Sequence, residues 1–198
     1  RNVESRIILD VQDRSIYHVN MLVPADLELE RVMAPSTFEW TLTAQQDRKL
    51  LTIIMATGQL SSVPIVISGR WGQAGSIEQI SLPRLEVLDV QEQEGQIVVQ
   101  SDPAYRVQAD NLQNCESILL HNVAGWLTPQ QGELVRLALR CHSGNYSGDL
   151  RLVPRTPSVQ CYTVSNIRIT DRAFEETVLL NFTINQAGIR EAVFLLPQ

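Results

Sequence analysis

Hydrophobic and polar residues alternate with a period of two along most of the chain, the spacing that sends successive side chains to opposite faces of an extended strand. Tyr17, Val19, Met21 and Val23 alternate with His18, Asn20 and Leu22, and Leu27, Leu29 and Val32 resume after Pro24-Ala25-Asp26, which predicts a hairpin of strand, turn and strand. The same texture predicts strands over Phe38 to Thr43, Leu50 to Thr57, Val63 to Trp71, Leu85 to Val90, Ile97 to Gln100, Tyr105 to Ala109 and Ile118 to His121. Further on it marks Leu150 to Leu152, Val159 to Thr163, Ile167 to Ile169 and the long run Val178, Leu180, Phe182, Ile184, with Ala192 to Leu196 closing the chain.

Turn formers punctuate these runs: Gln45-Gln46-Asp47-Arg48, Gly58, Gly72, Gly75, Glu94-Gly95, Ser101-Asp102-Pro103 and Ser143-Gly144-Asn145. Strands returning every 8 to 14 residues or so, with no helical pattern between them, exclude repeated βαβ units and point to an all-β fold of antiparallel β-sandwich modules. Thr128-Pro129-Gln130-Gln131 has the residues of a helix start. Gly132 interrupts it, and Val135, Leu137, Leu139 and Cys141 then alternate, so the expectation is a turn followed by a strand.

A boundary near Gln79 to Arg84 divides the chain into modules 1–82 and 83–198, because Pro83 ends one set of strands and cannot donate to a ladder. One large many-stranded sandwich is the alternative, since no flexible Gly/Ser linker stands there. The strand-Pro-strand texture resembles, at the level of architecture, Ig-like bacterial modules, with a jelly-roll-like arrangement also open; no motif specific to a family accompanies it. Asp13-Arg14-Ser15 and the strands after it are echoed by Asp171-Arg172-Ala173 and its own downstream strands, a similarity that tandem copies of one unit would produce.

Composition narrows the partners. The chain has 198 residues and a formal net charge of -6, with a single lysine, Lys49, and no basic stripe, so a nucleic-acid partner is not expected. The longest apolar runs fall far short of the roughly 20 residues that span a bilayer, so no membrane insertion by this segment is expected. A start at Arg1, with no apolar targeting stretch before the first strands, reads as a fragment of a larger extracytoplasmic protein, whether secreted, periplasmic or at the cell surface.

Candidate chemistry is sparse. Cys115, Cys141 and Cys161 are an odd number, so at most one bridge forms: either Cys141 pairs with Cys161, both lying in strand-like runs around one turn, or all three are unpaired buried thiols. His18 and His142 fall at outward strand positions, and His121 stands near a loop. No nucleophile elbow, metal-ligand spacing or phosphate-cradling loop is present, so neither a catalytic residue, a metal nor a cofactor is expected. What remains is aromatic: Trp71, Trp126 and Tyr146 sit at strand ends or turns, where an exposed ring stacks on a sugar or peptide, while Trp40, alternating with Phe38, belongs to the core.

These observations lead to a non-enzymatic structural or interaction module whose partners are neighbouring domains of the parent chain, a protein or a glycan. A carbohydrate-binding module is the alternative, and an enzyme whose site is assembled from scattered residues the second alternative.

Overall fold

The computed structural model describes residues 1–72, 79–123, 125 and 127–194. Within them the chain forms β1 (Asn2–Pro24), β2 (Leu27–Met33), β3 (Phe38–Gln45), β4 (Arg48–Trp71), β5 (Gln79–Ser81), β6 (Glu86–Val87), β7 (Gly95–Gln100), β8 (Tyr105–Gln113) and β9 (Cys115–Ser117). After a 3-10 turn at Leu120–Asn122 come α1 (Pro129–Glu133), β10 (Val135–Cys141), β11 (Ser147–Pro154), β12 (Ser158–Ile169) and β13 (Phe174–Asn185). Every strand pairing is antiparallel, so the all-β expectation is met. No helix among the described residues is long and apolar enough to cross a membrane.

The first sheet is built on two strands of 23 and 24 residues, β1 and β4, paired along nearly their whole length. Their ladder breaks between Val11 and His18, where Ser61 of β4 takes a positive φ of 64° and Gly58 leaves no room for a Cβ, since Ser15 Cβ would stand 2.8 Å away. Register shows that the pair doubles over at this break. Pro24 pairs with Arg48 at one end of β4, yet Leu27, three residues later, pairs with Trp71 at the other end. The Lys49 ammonium donates to Leu27 O at 3.0 Å and Gly72 N to Asp26 O at 3.3 Å, which ties the two ends together.

The expected hairpin over residues 17–32 therefore does not form. Strand order is β2-β4-β1-β6, and Pro24-Ala25-Asp26 carries the chain across to the other half of the doubled sheet instead of turning it back beside itself. Both halves close on one core: Val19, Met21 and Val23 of β1 and Leu51, Ile53 and Met55 of β4 from one half, Val63, Ile65 and Ile67 of β4 from the other. At about 1.5–3 kcal/mol per fully buried aliphatic side chain, this cluster is the main source of stability in the first 70 or so residues.

A second core lies between two three-stranded sheets, β7-β10-β9 and β5-β11-β8. Leu82, Val107, Leu139, Cys141, Tyr146 and Leu150 are buried in it. The segment joining the cores contributes to both, because β5 pairs with β11 while β6 returns to pair with β1 at Met21 and Leu22. At the Thr128 position a single helical turn forms, with the capping box closed in both directions between Thr128 and Gln131, where a plain turn was expected. The strand expected at Ile118 to His121 lies earlier, at Cys115–Ser117, and 118–121 runs into the 3-10 turn; Ala192 to Phe194 is not a strand.

Among the described residues the remaining strands, β12 and β13, pair only with each other, and no residue of either joins a core. The echoed motifs adopt different structures: Asp13-Arg14-Ser15 lies in the break within β1, whereas Asp171-Arg172 forms the turn between β12 and β13.

Candidate interaction surface

Of the rings singled out by sequence, Trp71 and Tyr146 both border one cleft, but to different depths. Trp71 is half-buried against the first core, with its indole N–H donating to Asp26 Oδ1 at 3.1 Å. It lines an open cleft of about 1010 Å³ between the first half of β1 and β7, with Glu92 and Glu94 also on the lining. Trp126 lies outside the described residues. Tyr146 is a correction: the ring expected at an exposed turn is buried in the second core. β11 already begins at Ser147, inside the stretch 143–148 expected to turn, and Tyr146 shares the inward phase of Gly148 and Leu150. Trp40, expected in the core, is 39% exposed on β3 at the sheet edge, while Phe38 beside it packs inward.

Tyr146 instead clamps the junction between the cores. Its hydroxyl donates to Pro83 O at 2.6 Å and accepts from Leu85 N at 3.0 Å, and burial pushes its pKa up to about 12, so it stays a neutral donor. Next along the chain, the Glu86 carboxylate accepts from Arg48 and Arg84 at 2.7 Å each. The Arg48 bond and the two positive charges hold Glu86 below its ordinary value against the opposing effect of burial. Arg84 also reaches Gly144 O at 3.1 Å, and the Gln93 side chain bonds both Leu85 O and Val87 N at 2.9 Å. Pro83 to Val87 is thus held from both sides by partly buried hydrogen bonds.

Cys141 and Cys161 are not bridged and all three cysteines are free, the second of the two alternatives, though Cys161 is exposed where a buried thiol was expected. Cys141 is buried on β10 directly opposite Cys115 of β9, whereas Cys161 is exposed on β12, a strand that contributes to neither core. Sequence order made Cys161 the nearer neighbour of Cys141, but β10 takes its edge partner from upstream. His18 and His121 are exposed, and His142, also exposed, stands 3.4 Å from Glu116. Among the described residues no group of three or more His, Cys, Asp or Glu gathers where it would hold a metal ion.

The feature sequence reasoning missed is the uncovered face of the β12–β13 hairpin. Twelve residues of each strand pair in register, and opposed residues share a face: Val159 with Ile184, Cys161 with Phe182, Thr163 with Leu180 and Ile169 with Phe174. That face is mostly apolar. The opposite face carries Gln160, Asn166, Arg168, Glu175 and Asn181, interrupted by Tyr162, Val164 and Leu179. Only Leu180 and Phe182 are partly covered, Phe182 by the ring of Phe194 with centroids 5.8 Å apart; Phe174 is 64% exposed and Ile169 74%. Among the described residues each strand also presents an edge of backbone donors and acceptors with no strand partner. No protein-family model, no curated protein and no solved structure matches this chain.

Proposed function

We propose that this chain is a non-enzymatic structural and interaction module of a larger secreted or surface protein, and that the β12–β13 hairpin is its contact element, covered in place by a neighbouring β-rich domain. The observation that carries this reading is a hairpin of two twelve-residue strands with one mostly apolar face exposed and, among the described residues, both edges unpaired. A lone two-stranded hairpin is marginally stable in water, and contiguous exposed apolar surface of this kind marks a place where another surface belongs. A partner that adds a strand to one edge and lays its own apolar side chains on the face satisfies both needs at once.

The clamp at Pro83 to Val87 fits the same reading, since it fixes the joint between the two cores through Tyr146, Glu86, Arg48 and Arg84. A module that spaces its neighbours works only if its own joint does not swing. The carbohydrate-binding alternative loses Tyr146, whose ring is inside the second core.

In the isolated chain a second copy stands in for the neighbour, which makes the reading testable by sedimentation velocity. The wild-type chain is expected to self-associate as concentration rises. Leu180→Lys with Ile184→Lys, both on the apolar face, should keep it monomeric, with its thermal transition retained because neither residue joins a core. Gln160→Lys with Thr183→Lys, on the polar face, should associate like wild type. A wild-type chain that stays monomeric, or equal behaviour of the two double variants, contradicts the proposal.

A further inference from the structure

We propose that Cys115 and Cys141 are a disulfide site, closing a bridge across the edge of the β7-β10-β9 sheet when the protein meets an oxidising disulfide. Register sets the two residues directly opposite each other on antiparallel strands. The flanking bonds identify the kind of pair. His142 N donates to Asn114 O at 2.9 Å and Ile118 N to Ala138 O at 2.9 Å, so the hydrogen-bonded positions are 142 with 114 and 138 with 118. Counting inward by the two-residue repeat of the ladder, 140 with 116 is hydrogen-bonded and 141 with 115 is not. In such non-hydrogen-bonded pairs the Cα atoms stand about 4.5 Å apart and the side chains approach most closely, inside the roughly 4.4–6.8 Å range that disulfides span.

Both side chains point to the same face of the sheet. Cys141 is buried in the second core and Cys115 packs against that same core from the neighbouring strand, with its Sγ donating to Ser147 O at 3.4 Å. The division of labour comes from exposure: Cys115 is half-buried, while Cys141 is 2% exposed and burial pushes its thiol up to about 12. Oxidation therefore starts at Cys115. Its thiolate attacks the disulfide of a small molecule or an oxidoreductase, giving a mixed disulfide and releasing one thiol. Cys141 sulfur, having lost its proton to solvent, then attacks the Cys115 sulfur and expels the second thiol. Two protein thiols and one disulfide become one protein disulfide and two thiols.

The bridge would fasten the three-residue edge strand β9 to β10 and close the loop that holds the 3-10 turn and α1. It is independent of the hairpin proposal, because neither cysteine lies in β12 or β13.

The test uses Cys161→Ser, which removes the exposed thiol, equilibrated with oxidised glutathione, alkylated under denaturing conditions and weighed intact. The expected result is loss of both remaining thiols with a mass lower by two hydrogens, no retained glutathione, and one cross-linked peptide pair containing Cys115 and Cys141; dithiothreitol should restore both thiols. In Cys115→Ser/Cys161→Ser the buried Cys141 should remain unmodified. Two alkylated thiols after oxidation, or a glutathione held stably on Cys115, overturns the proposal.

Discussion

Tyr146 shows how a residue with a polar tip and a large ring is placed by phase. Its inward position continues Gly148 and Leu150 backwards past the start of β11, so its burial was legible in the alternation once the strand expected from Leu150 was extended back to it. Its partners, Pro83 O and Leu85 N, were not legible, because more than sixty residues of chain separate them and only the fold sets that distance. Glu86 beside them is the residue whose ionisation matters most to the joint. Its carboxyl is held below the ordinary 4.5, so the stabilisation is fully present above pH 4.5 and disappears as pH falls through the lower folded value. Glu86→Gln is expected to cost about 1–3 kcal/mol at pH 7, since Arg48 keeps its partly buried position with a neutral partner. Between pH 5 and pH 3 the urea midpoint of the wild type should fall more steeply than that of the variant; parallel curves would remove Glu86 from this role.

At the scale of elements, alternation located most strands but not their partners. The first half of β1 has Val3, Ile7, Leu9 and Val11 half-buried in strict alternation, a signal that was in the sequence and is easily overlooked beside the stronger run at 17–23. That β2 pairs with β4 and not with β1 was beyond the pattern, because period two states which face a residue takes and says nothing of which edge its strand joins. Gly69 is where this pairing is tightest. A Cβ there would meet Glu28 O at 2.1 Å, beside the register shift between Leu29 and Arg31. Gly69→Ala should therefore push β2 off β4 and destabilise the first core by roughly 3 kcal/mol. Gly132→Ala, which meets nothing within 4 Å on α1, should leave stability unchanged or slightly raised. Equal midpoints for the two variants in chemical denaturation would show that β2 does not approach so closely.

For the whole molecule, the layout is two cores joined by a clamped segment, with a hairpin outside both. The cores arise from the count of inward apolar positions, which is why the all-β class was readable from the chain alone. The hairpin was readable as strands, most plainly at Val178 to Ile184, yet the same pattern implied that the apolar side would be buried. Alternation reports that a face seeks cover, and it is silent on whether this chain supplies it. Tyr146 was misread for a related reason: it occupies an inward phase, and its position at a turn was a weaker guide than its parity with Gly148 and Leu150.

Amide hydrogen exchange along residues 158–185, compared between dilute and concentrated protein, tests the contact-element claim most directly. The claim predicts fast exchange in β12 and β13 when dilute, protection rising with concentration, and amides of the β1–β4 ladder slow and unchanged throughout. Hairpin amides as protected as those of β1 and β4 at every concentration would contradict it.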